Sequence, residues 1–254
     1  MVSQHDLRTD VKVHTLPMQV AAHLIRQIVA SELENDRVPS ELDITREFGV
    51  SRVVARETLK ILSSLDIVRV AQGRRVTLRP PEEWDYLSVQ LLQWLPEDLV
   101  AELLRELQEA RLMLEPELAA KAAETIDKKR LRALADLLVR MERAEGSPEE
   151  YLALDMAFHL EICRASNNRI LDRIMYSARW LLATSRRVTN DEPHGLSDAT
   201  AVHQGIYDAI AGGDASAARD AMRAHLQTNV TILTKAGRRR TKARSRTRRT
   251  GPKS

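Results

Sequence analysis

Four residues in the second half of the chain have the types and spacing expected of a metal site. Asp155 and His159 are four residues apart on one predicted helix, so their side chains are neighbours. His203 and His225 lie on the apolar sides of the last two predicted helices. One carboxylate and three imidazoles suit Zn²⁺, Ni²⁺ or a similar divalent ion and leave room for a ligand oxygen. The spacing alone is equally typical of ordinary core or surface histidines.

A second set of residues has the pattern of a DNA-reading helix. Arg52, Arg56 and Lys60 follow one another at four-residue intervals on a predicted helix over 51–65, opposite its apolar side, and Val53 lies next to them. Arginine can donate two hydrogen bonds to guanine or hold phosphates, and valine can contact a thymine methyl group. Taken alone, the same stripe also fits a solvated charged face.

The elements around that helix predict a winged helix-turn-helix domain. Apolar periodicity predicts a first helix over 18–34 and a short segment after Pro39, and Ser51 is a good N-cap for the next helix. Two strand-like stretches, 67–70 and 75–79, flank Gly73 as in a hairpin. Helix, short helix, turn, second helix and hairpin are the order of this domain.

The sequence predicts that the rest of the chain is helical up to a basic C-terminal tail. Helical periodicity and capping residues predict helices over 98–124, 127–145, 148–166, 168–188, 198–211 and 215–235. The fold class is therefore mainly α, a winged helix-turn-helix followed by an antiparallel helical bundle. The expected domains are a flexible 1–15, a DNA-binding domain over 16–80, a linker over 81–97, an effector and dimerisation domain over 98–236, and a disordered tail over 237–254.

The charge distribution excludes a histone-like protein, which would be basic over its whole length. The 254 residues carry a net charge of +3, which divides into +2 for residues 1–80, −9 for 81–234 and +10 for 235–254. One cysteine excludes a disulfide framework, and the charged N-terminus and the lack of a long apolar stretch predict neither a signal peptide nor a membrane span. These features favour a cytoplasmic protein.

The stretch from Val38 to Leu78 resembles the DNA-binding domain of the GntR family of bacterial transcription regulators. The matching positions are Pro39, Glu41, Gly49 to Arg52, Arg56, Glu57, Leu59, Leu62, Gly73 and Arg74. The resemblance implies contacts to operator bases or backbone from Arg52 and Arg56, and to the minor groove from a wing tip formed by Gln72, Gly73 and Arg74. Ser51, Val53 and Lys60, on the same helix, complete the predicted DNA-binding residues. The chain departs from the family pattern at Leu42, Val53, Val54 and Arg75. These departures affect the prediction of which operator sequence is recognised more than the prediction that DNA is bound.

Residues 99–235 resemble the all-helical effector domain, also called FCD, of the FadR-type branch of this family. In many members a metal is bound by the positions of Asp155, His159, His203 and His225, which implies a divalent cofactor here, foremost zinc, with nickel or manganese as alternatives. The resemblance also implies that Arg111 anchors a small carboxylate effector and that Asn168 contributes. For Arg111 the alternative is a surface salt bridge to Glu115, and for Asn168 it is a helix cap.

The segment EEWDYLSVQLLQW after the wing resembles that of sugar-acid (galactonate-type) operon repressors, which implies an aldonate effector. The resulting hypothesis is a homodimeric transcription regulator, most simply a repressor, with operator DNA as its partner and no enzymatic activity. Two alternatives stay open, a regulator of another carboxylate such as lactate, glycolate or a uronate, and a regulator whose metal is structural. A metalloenzyme is a remote third, since no general base stands out beside the cluster.

Overall fold

The computed structural model describes residues 15–33, 37–70, 76–189 and 196–228, with the side chains of 180–198 left out. The chain divides into two compact units between Pro96 and Glu97. The regular secondary structure of the described residues is helical, apart from one antiparallel two-stranded sheet. The predicted fold class is therefore confirmed. The wing-tip residues Gln72, Gly73 and Arg74 and the predicted N-terminal segment and basic tail lie outside the described residues.

The first unit has the order predicted for a winged helix-turn-helix. Its elements are α1 (Leu16–Val29), α2 (Glu41–Phe48), α3 (Arg52–Ser64), β1 (Val68–Arg69), β2 (Thr77–Leu78) and α4 (Val89–Trp94). The strands pair Val68 with Leu78 and Arg69 with Thr77. The first helix is shorter than predicted, because the chain turns at Ser31, whose φ is 56°.

Local capping fixes the turn between α2 and α3. Ser40 and Asp43 form a capping box at the start of α2, and the Ser51 hydroxyl accepts a hydrogen bond from the Val54 amide, 3.3 Å away, at the start of α3. Between them Gly49 adopts a left-handed φ of 63°, which costs little only for glycine. These residues set the direction in which α3 leaves the turn.

The apolar face of α3 packs against α1. Its buried residues are Ala55, Thr58, Leu59 and Leu62, and those of α1 include Leu24, Ile25 and Ile28. Sequence periodicity predicts an apolar side made of Val54, Thr58, Ile61, Leu62 and Leu65. The buried face is rotated by about one residue from it, with Val54 and Ile61 half-buried at its edges. The opposite face, which carries the basic stripe, stays exposed.

Most of the predicted linker belongs to the first unit. Residues 81–97 contain a 3-10 turn (Pro81–Glu83) and α4, in which Leu91, Leu92 and Trp94 are buried and which packs against α1. Trp84 is buried as well, and its indole N–H donates a hydrogen bond to the carbonyl of Arg79 over 3.0 Å.

The second unit is a helical bundle centred on one helix. It comprises α5 (Glu97–Thr125), α6 (Lys128–Arg143), α7 (Pro148–Ala165), α8 (Arg169–Thr189), α9 (Leu196–Ala211) and α10 over 215–228. Helix α7 packs against α5, α6 and α8, and Tyr151, Phe158 and Ile162 on it are completely buried. In the described part of the chain no helix has the length and apolar character needed to cross a membrane.

Replacing Gly49 tests the turn that orients α3. We expect Gly49→Ala to lower the free energy of unfolding of the first unit by about 1 kcal/mol, because a Cβ disfavours the left-handed conformation. Gly49→Asn, which tolerates that conformation better, should lose less. Urea unfolding followed by the fluorescence of the buried Trp84 and Trp94, in a Trp180→Phe background, measures both. Equal losses in the two variants would contradict the conformational explanation.

Candidate metal centre

The four residues predicted as metal ligands meet in the interior of the second unit. Asp155 and His159 come from α7, His203 from α9 and His225 from α10, and all four are buried. One ligand atom of each residue lies within 4.8 Å of the ligand atoms of the other three. Residues 70 positions apart in the chain are therefore gathered around one point, and each presents a potential donor to it.

The short distances within the cluster run between ligand atoms. His225 Nε2 lies 3.2 Å from His159 Nε2, and His203 Nε2 lies 3.0 Å from Asp155 Oδ1. His159 Nε2 is 4.0 Å from the same carboxylate oxygen. The imidazole rings of His203 and His225 are 4.5 Å apart between centroids. These spacings suit donors that share one cation.

Hydrogen bonds on the far side of two rings set their tautomers. His159 Nδ1 lies 2.5 Å from Glu115 Oε2, and His203 Nδ1 lies 2.7 Å from the carbonyl oxygen of Ala199. Both oxygens are acceptors, so each Nδ1 carries the proton and donates it. The Nε2 lone pairs of His159 and His203 are then directed to the centre of the cluster, as in metal sites whose ligands are held from outside.

The donor set fits a divalent ion. His203 is 0% exposed, and its Nε2 makes no hydrogen bond within the described structure although Asp155 is near. Burial holds the pKa of His225 well below its usual value, which favours the neutral imidazole that binds metals. Three inward imidazole nitrogens and one carboxylate match the ligands of Zn²⁺ and related ions.

Arg111 and Glu115 form a buried ion pair that extends to the cluster. Arg111 is 3% exposed; its Nε donates to Glu115 Oε1, and its Nη2 lies 3.3 Å from Glu115 Oε2, which also accepts from His159. Burial alone would raise the pKa of Glu115, but the Arg111 guanidinium and the hydrogen bonds that His159 and Arg111 donate lower it to about 2. The carboxylate therefore stays ionised.

Arg111 thus pairs with Glu115, as the alternative interpretation of its spacing held, but in the interior rather than at the surface. Burial lowers the pKa of the Arg111 guanidinium, but the negative charges of Glu115 and then Asp155 raise it. The pKa of Arg111 is therefore raised overall. The guanidinium is linked to the candidate metal ligand His159 through Glu115 Oε2, which both side chains contact. The role of Arg111 toward an effector remains a proposal.

A buried amide in the same helix was missed by the sequence reasoning. Gln108 lies three residues before Arg111 on the same face of α5 and is 4% exposed, and its Oε1 has no hydrogen-bond partner within the described structure. An unpaired buried acceptor costs about 1–3 kcal/mol. The available signal was a polar residue at a core position of α5, one turn before Arg111.

Asn168, predicted to contribute to the effector site, is instead an exposed helix cap. Its Oδ1 accepts hydrogen bonds from the amides of Ile170 and Leu171, each 3.1 Å away, at the start of α8. The first turn of a helix leaves amides unsatisfied, and an asparagine before it satisfies them. The structure therefore does not bring Asn168 into the cluster.

The predicted DNA-reading residues lie together on the exposed face of α3. Arg52, Arg56 and Lys60 are exposed, Val53 is 70% exposed, and Ser51 caps the helix. In the next turn, Arg56 is held by Glu41 of α2 through contacts of 3.2 and 3.4 Å, and Lys60 by Glu57 over 2.7 Å. Arg52 has no ion pair with another described residue.

This architecture, a helix-turn-helix with an exposed basic face followed by a helical domain with a buried polar centre, defines a ligand-responsive transcription regulator. Residues 16–78 match the model of the bacterial regulatory proteins of the gntR family, and residues 106–228 match the FCD domain. The chain belongs to the GntR family, in the branch that carries an FCD effector domain. Operator DNA and a small-molecule effector are the partners that these two domains imply.

Relatives over most of the chain agree with this assignment. The HTH-type transcriptional regulator LutR of Bacillus subtilis is 33% identical over 74% of this chain and 86% of its own. The galactonate operon transcriptional repressor of Escherichia coli is 25% identical over 70% and 79%. The solved structure of Lar, which controls the expression of the Listeria monocytogenes agr system, covers 87% of this chain and 97% of that one at 20% identity with a TM-score of 0.59, which shows the shared fold.

Removing one inward imidazole tests the cluster as a metal centre. We expect the wild-type chain to bind one Zn²⁺ per chain and His203→Ala to lose roughly 100-fold or more in affinity, because a buried ligand is lost. Competition with a chromophoric chelator measures both. His23→Ala, which removes an exposed histidine of the first unit, should leave the affinity unchanged. Equal affinity in the wild-type chain and His203→Ala would contradict the assignment.

Proposed function

We propose that the chain is a homodimeric repressor that binds operator DNA through α3 and releases it when a sugar acid binds in the second unit. The effector is an aldonate or a related 2-hydroxy acid, held at a divalent ion. The observation that carries this proposal is the buried convergence of Asp155, His159, His203 and His225, with Arg111 joined to it through Glu115.

In this proposal Asp155, His159, His203 and His225 hold the ion, which is zinc in the first place, with nickel or manganese as alternatives. When bound, the ion supplies positive charge and open positions for the carboxylate and hydroxyl oxygens of an acid. Glu115 fixes the ring of His159 and Ala199 that of His203, so that both present a lone pair.

The residues of α5 supply the remaining contacts to the acid. A guanidinium has five N–H donors, and Glu115 occupies Nε and part of Nη2 of Arg111, so further donors are available for an effector carboxylate. The unpaired Oε1 of Gln108 is an acceptor for a hydroxyl group. An anchor for an anion and an acceptor for a hydroxyl on one helix face favour a hydroxylated acid over a purely apolar one.

The similarity to the galactonate operon transcriptional repressor supports an aldonate and a repressor role. An operator with two half-sites fits a homodimer in which each chain contributes one α3. The exposed pair of Arg56 with Glu41 does not oppose this role, because exposed ion pairs contribute little and exchange readily for phosphates or bases. The wing tip Gln72, Gly73 and Arg74 completes the proposed DNA surface.

Effector response is the direct test of this function. We expect D-galactonate at millimolar concentration to release an operator, selected from random DNA by the purified protein, only when Zn²⁺ is present. Arg111→Lys keeps the charge opposite Glu115 but loses the two-pronged donor, so it should weaken the response about tenfold or more while operator affinity without acid is unchanged. Electrophoretic mobility shifts measure release.

The controls separate the possible failures. Release by D-galactonate from metal-free protein would make the metal structural, and no response to galactonate, gluconate, lactate, glycolate or galacturonate would contradict the effector class. Arg130→Lys, a matched change at a half-exposed arginine paired with Glu161, should respond like the wild-type chain.

DNA reading by α3 is tested at Arg52. Because its guanidinium is exposed and has no ion pair among the described residues, we expect Arg52→Ala to weaken operator binding by about 1–3 kcal/mol. Arg105→Ala, an exposed arginine of the second unit, should have no effect. Fluorescence anisotropy at several salt concentrations distinguishes base reading, in which only the selected operator is weakened, from a phosphate contact, in which random DNA is weakened equally. No loss on either DNA would remove Arg52 from the interface.

A further inference from the structure

The buried charges around the cluster do not cancel. Among the described residues of the second unit, the ionised side chains that are buried are Arg111, Glu115 and Asp155. Imidazoles that bind a metal are neutral, so in the metal-loaded site these side chains contribute one cation and two anions, a net charge of −1. A divalent ion would change this charge to +1, and one carboxylate added to the ion would bring it to zero.

Buried charge that is not compensated is costly, because the interior solvates ions poorly. The charge count therefore favours two ligands together, a divalent cation and a monoanion. Glu115 determines this count. Without its negative charge the metal-loaded site would carry +2 and would be neutralised by a dianion instead.

We propose that Glu115 is a specificity-determining residue, whose buried charge makes the metal-loaded site select acids with one carboxylate over acids with two. This inference rests on the proposed function, since it concerns the same effector site. Glu115 acts here through its charge on the site, in addition to holding the ring of His159 through the 2.5 Å hydrogen bond.

The position of Glu115 makes it effective in this role. It lies between Arg111 and His159, so its charge is in contact with both the proposed anion anchor and a proposed metal ligand. At an effective dielectric constant of about 20, the interaction between two unit charges a few ångströms apart changes an affinity by more than about tenfold. A change of one unit at this position is therefore large enough to alter which anion binds.

Glu117 offers a matched control on the same helix. It is two residues further along α5, exposed, and paired with Arg219 over 2.8 and 2.9 Å. The same Glu-to-Gln change at Glu117 removes the same charge from the chain, but at a position where water screens it.

The test compares L-lactate and tartronate, two 2-hydroxy acids that differ only in that the methyl group of one is a second carboxylate in the other. Isothermal titration of the Zn²⁺-loaded protein gives the ratio of tartronate to lactate affinity. We expect Glu115→Gln to raise this ratio by about tenfold or more relative to the wild-type chain, because the metal-loaded site gains one positive charge. Glu117→Gln should leave the ratio unchanged.

A double variant restores the charge and guards against misfolding. Arg111→Gln combined with Glu115→Gln removes both members of the buried pair, so it avoids the uncompensated buried charge that the single variant leaves. The metal-loaded site then returns to +1, so the ratio should return to the wild-type value even if both acids bind more weakly.

The outcomes distinguish this inference from the function on which it rests. If neither acid binds the Zn²⁺-loaded wild-type chain, the proposed carboxylate site is wrong, and the inference falls with it. If both acids bind but Glu115→Gln leaves the ratio unchanged, or the double variant keeps the ratio of Glu115→Gln, the effector site stands and the charge of Glu115 does not select the acid.

Discussion

Three charged side chains, Arg111, Glu115 and Asp155, lie in the interior of the helical bundle, and the geometry of the candidate metal centre depends on how they are paired. A buried carboxylate is tolerated only with partners, and Glu115 has two, the guanidinium one turn earlier on α5 and the imidazole of His159 on α7. This one carboxylate fixes the packing of α5 against α7 at that level, orients a candidate metal ligand and positions the guanidinium near Asp155.

Hydrogen bonds on the outer side of the rings explain why two of the histidines can be ligands. A neutral imidazole with its Nδ1 proton donated outward must present its Nε2 inward, and His159 and His203 are both held in this way, one by Glu115 and one by the backbone of α9. Their inward nitrogens are left with few partners of their own, which is unfavourable for a bundle without a ligand and favourable for one that holds a cation. Likewise, the buried Oε1 of Gln108 has no hydrogen-bond partner within the described structure, and the hydroxyl group of a bound acid would supply one.

Local sequence patterns predict much of this structure. The i, i+4 spacing of Asp155 and His159, the capping residue Ser51 and the apolar periods locate most helices to within a few residues, because these signals act within a turn or two of the chain. Residue types, together with the family resemblance, predicted the four candidate ligands. The end of α1 at Ser31 and the folding of residues 81–97 into α4 depend on tertiary packing, which periodicity does not report.

What the sequence could not provide is the pairing between distant elements. The bond between Glu115 and His159 joins residues 44 positions apart, so the spacing of Arg111 and Glu115 could equally indicate a surface pair. For Asn168 the local interaction decides instead: the sequence suggested a role in the effector site, but its side chain caps the start of α8. Likewise, the contact of Arg56 with Glu41 arises only because α2 and α3 cross, and the basic stripe alone did not show it.

The central claim is that Asp155, His159, His203 and His225 hold one divalent ion to which the effector is bound. Crystals grown with Zn²⁺ and D-galactonate, measured on both sides of the zinc absorption edge, test it most directly. The account predicts one anomalous peak per chain at about 2.0–2.2 Å from the Nε2 atoms of the inward histidines, with a carboxylate oxygen of the acid completing its coordination. A cluster with no peak, or an acid bound away from the zinc, would contradict it.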